Sequence, residues 1–88
     1  MSAPVIIIDK PLVTETGEAE YIVGESVVLS MEDPGDGSIG QWNAGDGAAV
    51  RTGFGFRHAY SAAGWYVITA WFLGDSEAAS VEIYVGEA

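Results

Sequence analysis

The sequence predicts an all-β fold, an antiparallel sandwich of about seven strands in two sheets. Short segments in which apolar and polar residues alternate recur along the chain, and clusters of Gly, Asp, Pro and Ser separate them. No segment of useful length has the apolar spacing of an amphipathic helix. The 88 residues suffice for one domain with a modest core.

The first 22 residues are predicted to form an N-terminal strand region or arm, ahead of the sandwich at residues 23–88. A β-branched run lies between Pro4 and Pro11. It comprises Val5, Ile6, Ile7 and Ile8. The flanking prolines suit an edge strand, and equally an extended arm that reaches onto a neighbouring chain. A second short extended piece is predicted at residues 12–16.

The later strands are predicted from their alternation. They cover residues 26–31, 38–43, 54–60, 65–73 and 78–85, with residues 48–52 as a short polar strand or loop. The inward-facing side chains are predicted to be Val27, Leu29, Met31, Phe54, Phe56, His58, Tyr60, Tyr66, Ile68, Ala70, Phe72, Val81, Ile83 and Val85.

Three ordered motifs stand in the middle of the chain. Trp-Asn-Ala-Gly-Asp-Gly occupies residues 42–47, His-Ala-Tyr residues 58–60, and Gly-Trp-Tyr-Val-Ile residues 64–68. From about Val23 to Val85 the chain resembles the polycystic-kidney-disease (PKD) domain, an immunoglobulin-like β-sandwich with the pattern Trp-Asp-Phe-Gly-Asp-Gly, His-x-Tyr and Gly-x-Tyr-x-Val. The matching positions are Trp42, Gly45, Asp46, Gly47, His58, Tyr60, Gly64, Tyr66 and, conservatively, Ile68, whereas Asn43 and Ala44 depart from the pattern.

The resemblance implies structural roles for several of these residues. Immunoglobulin-like sandwiches bury a Trp between their sheets, and the hydroxyl of a corner Tyr bonds back to nearby backbone. Trp42 and Tyr66 are expected to take these two roles, and His58 is expected to be structural. Function stays open at this level, because one sandwich fold serves many functions.

The chain is strongly acidic, with a net charge of −10 and three basic residues, Lys10, Arg51 and Arg57. Such a surface repels phosphate backbones and anionic lipids, so neither nucleic acid nor a membrane is an expected partner. It suits a basic protein partner, or solubility at high local concentration. The absence of Cys fits a reducing compartment. The N-terminal apolar run is too short for a signal-peptide core or a membrane span.

No enzyme activity and no cofactor are expected. His58 is the single histidine and Cys is absent, so the sequence offers neither zinc-ligand spacing nor a nucleophile motif. Four carboxylates in predicted turns are candidate calcium ligands, because calcium prefers oxygen ligands from flexible loops. They are Glu32, Asp33, Asp36 and Asp46. Turn formation and solvated charge are the competing interpretation, and the favoured one.

One outer sheet face is predicted to be unusually apolar. It would display Ile39, Gln41, Trp65, Val67, Trp71 and Tyr84. A solvated face of an antiparallel sheet ordinarily reads polar, so this set predicts a partner interface. The competing interpretations are a slipped register, or coverage of the face by the N-terminal segment.

A structural or adhesive function is therefore predicted, in one of two contexts. In the first, the chain decorates a larger assembly, such as a phage capsid or tail, and is made in the host cytoplasm without a signal peptide. PKD-like and other immunoglobulin-like domains occur on such virions. In the second, it is an extracellular module of a secreted protein that binds polysaccharide through Trp65 and Trp71, or acts as a spacer.

Overall fold

The computed structural model describes residues 3–8 and 21–87. These residues form eight β-strands and no helix. The strands are β1 (Ile6–Ile8), β2 (Tyr21–Ile22), β3 (Ser26–Met31), β4 (Gly40–Asn43), β5 (Arg51–Thr52), β6 (Gly55–Ala59), β7 (Gly64–Phe72) and β8 (Ala78–Gly86). The prediction of an all-β sandwich is confirmed. The extended piece predicted at residues 12–16 lies outside the described residues.

The strands form two sheets. One sheet has the order β1-β3-β6, and the other has the order β2-β8-β7-β4-β5. Neighbouring strands are antiparallel except β2 and β8, which are parallel. The longest ladder joins β7 to β8, from Gly64 opposite Val85 to Trp71 opposite Ala78. This ladder sets which side chains of the five-stranded sheet face outward.

The core lies between the sheets and follows the predicted alternation. Its fully or nearly buried predicted members are Val27, Leu29, Met31, Phe56, Tyr60, Ile68, Ala70, Phe72, Ile83 and Val85. Trp42 has no exposed surface, its ring lies 5.3 Å from that of Phe56, and its indole N–H donates to the Gly53 carbonyl at 3.0 Å. A buried Trp of this kind stabilises a fold by roughly 3–5 kcal/mol relative to Ala. The role that the resemblance implies for Trp42 is confirmed.

The N-terminal run forms an edge strand. β1 pairs with β3 in the register Ile6 opposite Met31 and Ile8 opposite Leu29. Ile6 and Ile8 pack against the core, whereas Val5 and Ile7 are exposed. In this chain the run therefore forms the edge strand of the two predicted alternatives. The described part of the first 22 residues contributes strands to both sheets, because β2 joins β8.

Tyr66 forms the predicted tyrosine corner. Its hydroxyl donates to the Ala62 carbonyl at 2.6 Å, four residues upstream. Its ring stacks on Tyr60 with centroids 4.1 Å apart. The loop between β6 and β7 is thus fixed by a side chain from the strand that follows it.

Candidate functional site

The outer face of the five-stranded sheet carries a stacked aromatic pair. Trp65 and Tyr84 are opposite each other on β7 and β8, with ring centroids 4.9 Å apart and 27° between the planes. Trp65 is 56% exposed and Val67 is 47% exposed. Ile22 is also exposed and pairs with Gly86, which places it on the same face. Trp65, Val67, Tyr84 and Ile22 together form the aromatic patch.

A second apolar group lies at the other end of β7. Gln41 and Trp71 are opposite each other, and the Trp71 indole N–H donates to Gln41 Oε1 at 2.9 Å. Ile39 and Leu73 are exposed beside them, and the Leu73 N–H donates to the Ile39 carbonyl at 2.8 Å. Trp71 is half-buried. It faces outward as predicted, but its polar atom is satisfied within the chain and its ring is less available than that of Trp65.

Polar side chains separate the two groups. Thr69 lies between Trp65 and Trp71 on the outer face of β7, with Ser80 opposite it on β8 and Asn43 opposite it on β4. Six residues of extended chain span roughly 20 Å. The outer face that was predicted to be unusually apolar therefore consists of two apolar areas with a polar strip between them.

Two exposed residues of this face were not predicted. Leu73 lies two residues after Trp71, so extending the alternation of β7 by one step would have predicted that it faces outward. Ile22 is placed by the parallel pairing of the two-residue strand β2 with β8. A two-residue strand has no periodicity, and so nothing local in the sequence indicated it.

The Gly-Asp-Gly turn rests on the backbone of β7. Gly45 has a φ of +84°, and a Cβ atom there would stand 2.3 Å from the carbonyl oxygen of Val67. Tyr60 donates its hydroxyl proton to the Ala44 carbonyl at 2.6 Å. The Gly45 N–H donates to Asn43 Oδ1 at 2.9 Å, so an amide oxygen caps the turn where the PKD pattern has a carboxylate.

Asp46, His58 and Arg51 form a chain of polar contacts beside this turn. His58 Nε2 lies 2.6 Å from Asp46 Oδ2, and Arg51 Nη2 lies 2.8 Å from His58 Nδ1. A guanidinium group only donates hydrogen bonds, so Nδ1 accepts and Nε2–H donates to the carboxylate. The bond from His58 is the main cause that lowers the pKa of Asp46. Arg51 also donates to the Arg57 carbonyl.

The cluster also contacts the buried core. His58 contacts the Tyr60 ring edge-on, with centroids 4.7 Å apart, and burial raises the pKa of the Tyr60 hydroxyl, which remains a donor. The hydrogen-bonding partners of His58 in the described part of the chain are Asp46 and Arg51. Through these two contacts, His58 on β6 joins the Gly-Asp-Gly turn, which carries Asp46, to Arg51 on β5.

The candidate calcium ligands are used in turns. Asp33 Oδ1 accepts from the Gly35 N–H at 2.8 Å, and Asp36 Oδ1 accepts from the Ser38 N–H at 3.0 Å. Hydrogen bonds from Ser38 lower the pKa of Asp36. Across residues 3–8 and 21–87, no three His, Cys, Asp or Glu side chains come together as potential metal ligands. The structure thus does not assemble Glu32, Asp33, Asp36 and Asp46 into one site.

Comparison with solved structures agrees with this architecture. The solution structure of the PKD domain from the human VPS10 domain-containing receptor SorCS2 matches with a TM-score of 0.60, over 98% of this chain and 72% of that one, at 20% sequence identity. The chain has a PKD-like fold. No protein-family model matches the sequence, and a search of the curated proteins finds no match. No helix able to cross a membrane occurs among the described residues.

Proposed function

We propose that this PKD-like domain is a non-catalytic docking module that attaches to a larger protein assembly through the aromatic patch. The observation that carries the proposal is Trp65, which is more than half exposed yet held in place by its stack on Tyr84. Trp and Tyr dominate the energetics of protein interfaces. A ring that is already ordered loses little conformational entropy when a partner covers it.

The charge of the chain indicates the chemistry of the partner. Glu82 lies opposite Val67 within the outer face, and the chain carries a net charge of −10. A partner surface with an apolar centre and a basic rim is complementary to this arrangement. Because ionic screening at physiological salt acts over about 8 Å, the rim charges must lie close to Glu82 to contribute.

The aromatic patch needs a second contact to reach a usual interface size, since stable interfaces bury roughly 800 Å² on each partner. Val5 and Ile7 supply it in this proposal. They are exposed on β1, an edge strand of the other sheet that contacts β8. The docking surface then runs from the aromatic patch around the edge of the sandwich to β1.

The assembly we propose is a virion, and the domain is a decoration protein on its capsid or tail. In this proposal the domain is made in the host cytoplasm. Many copies bound to one particle would gain avidity from modest individual contacts. A small acidic domain with one ordered aromatic patch suits that use, because its charge keeps the unbound protein soluble at high concentration.

The test is native mass spectrometry of the protein isolated at its natural level from its source. We expect the chain in many copies on a large particle. Trp65→Ala is expected to lower the occupancy at least about tenfold, since truncated interface anchors cost roughly 2 kcal/mol or more. Val50→Ala is the matched control, because Val50 is an exposed apolar residue outside the patch. Wild-type chain and Val50→Ala chain that are both found alone, with no particle bound, would contradict the proposal.

Polysaccharide binding is the second candidate, in an extracellular setting. One face of the Trp65 indole stacks on Tyr84, and the exposure of Trp65 leaves ring surface for a sugar to stack on. Depletion of the chain from solution by an insoluble polysaccharide, lost in Trp65→Ala and kept in Val50→Ala, would favour this candidate over protein docking.

A further inference from the structure

The strand β6 is an open edge of the three-stranded sheet. Its neighbour on one side is β3, and no described residue pairs with its other side. The other three sheet edges are short: β1 has three residues and lies between prolines, and β2 and β5 have two residues each. The five residues Gly55–Ala59 are therefore the longest strand edge in the described part of the chain.

The direction of the β6 backbone groups follows from three hydrogen bonds. The carbonyls of Phe54 and Tyr60 accept from Met31 and Gly24, on the β3 side. The carbonyl of Arg57 instead accepts from the Arg51 guanidinium, on the open side. Because alternate residues of a strand direct their N–H and C=O groups to opposite sides, Gly55, Arg57 and Ala59 present theirs to the open edge.

A groove of about 530 Å³ lies along this edge. Its lining includes Val28, Ser30, Arg51, Thr52, Phe56 and Arg57. Two of the three basic residues of the whole chain thus meet at one strand edge. Neither arginine forms an ion pair with a carboxylate of the described residues.

We infer that the β6 edge receives an extended acidic peptide segment of a partner protein, which adds as a fourth strand to the three-stranded sheet. The N–H groups of Gly55, Arg57 and Ala59 and the carbonyls of Gly55 and Ala59 supply the ladder, as in other cases of strand addition. A glutamate opposite Arg57 would lie close to the guanidinium, since facing Cβ atoms of paired strands are about 5 Å apart. The net charge of −10 does not prevent this, because dissolved salt screens the repulsion between the peptide and distant carboxylates of the domain. The charges closest to the bound peptide are then those of the two arginines.

This site is independent of the aromatic patch, which belongs to the other sheet. The occupant is expected to alternate carboxylate side chains on the outer face of the sheet, beside Arg57, with apolar side chains on the inner face, beside Phe56. The Arg57 carbonyl is already held by Arg51, so the Gly55, Arg57 and Ala59 N–H groups are the expected ladder donors.

The probe is a capped heptapeptide that alternates valine and glutamate, added to the full chain labelled with ¹⁵N. Binding is expected to slow amide hydrogen exchange at Gly55, Arg57 and Ala59. Exchange at Phe56 and His58 is expected to stay unchanged, because their amides already face β3. The same peptide with lysine for glutamate, and one N-methylated at alternate residues to remove its ladder donors, are expected not to bind.

Two variants of equal net charge distinguish a direct contact between Arg57 and the peptide from an effect of the overall charge of the domain. Arg57→Gln removes one positive charge and Ser80→Glu adds one negative charge on the outer face of the other sheet, so each changes −10 to −11. Arg57→Gln is expected to weaken peptide binding roughly tenfold, and Ser80→Glu less than about twofold. Absence of binding at millimolar peptide, equal effects of the two variants, equal binding of the lysine peptide, or protection centred on Thr69 instead of β6 would each overturn the inference.

Discussion

The close approach of Gly45 to the backbone of β7 can be measured with a pair of glycine variants. Gly45 and Gly47 have nearly the same φ, +84° and +88°, and both belong to the same turn. A Cβ atom at Gly45 would stand 2.3 Å from the Val67 carbonyl oxygen, whereas at Gly47 nothing lies within 4 Å. Gly47→Ala therefore reports the backbone strain alone, and Gly45→Ala reports the strain and the steric clash together.

The expected magnitudes follow from these distances. A left-handed alanine costs about 1–2 kcal/mol, and a backbone clash that cannot relax into a flexible side chain adds roughly 1–3 kcal/mol. For a domain of this size each kcal/mol lowers the melting temperature by roughly 4–8 °C. Urea and thermal unfolding followed by circular dichroism would give both free energies. Equal losses in Gly45→Ala and Gly47→Ala would refute the close contact of this turn with β7.

Three further outcomes are expected. Tyr60→Phe should lower the free energy of unfolding by roughly 1–3 kcal/mol, since it leaves the Ala44 carbonyl without its 2.6 Å donor; a loss below about 0.5 kcal/mol in urea unfolding would contradict this bond. The bond from His58 to Asp46 stabilises the fold fully above the ordinary carboxyl pKa of 3.8, and this stabilisation is lost as the pH falls through the lowered pKa that Asp46 has in the folded state. The difference in free energy of unfolding between wild type and Asp46→Asn should therefore shrink in acid. A difference that stays constant or grows on acidification would refute that linkage. Added calcium should leave the melting temperature unchanged, because the described residues assemble no ligand group, and a clear rise would reveal a site.

The long strands could be predicted because alternation specifies both their existence and their faces. In β3 and β7 every second side chain was predicted to face inward, and the burial of Val27, Leu29, Ile68 and Ala70 agrees with this alternation. The buried Trp42 followed from the motif resemblance, which adds a long-range constraint that periodicity lacks.

The features that escaped prediction depend on contacts between distant segments. Tyr21 is almost completely buried, but β2 is too short to show a pattern and pairs in parallel with the end of β8. Arg51 reads as a solvated charge in a polar segment, yet its guanidinium bonds His58 and the Arg57 carbonyl across the open edge. The bond from the Trp71 indole N–H to Gln41 Oε1, which leaves that ring less available than the ring of Trp65, is likewise a contact between distant segments.

The most direct test of the proposed docking surface is radical oxidation of the three tryptophans, compared between the free chain and the proposed assembly recovered from its source. In the free chain we expect oxidation to be fastest at Trp65, slower at the half-buried Trp71 and slowest at Trp42, which serves as the internal reference. In the assembly Trp65 should be protected several-fold while Trp42 is unchanged. Equal oxidation of Trp65 in both samples would contradict the assignment of the aromatic patch as the docking surface.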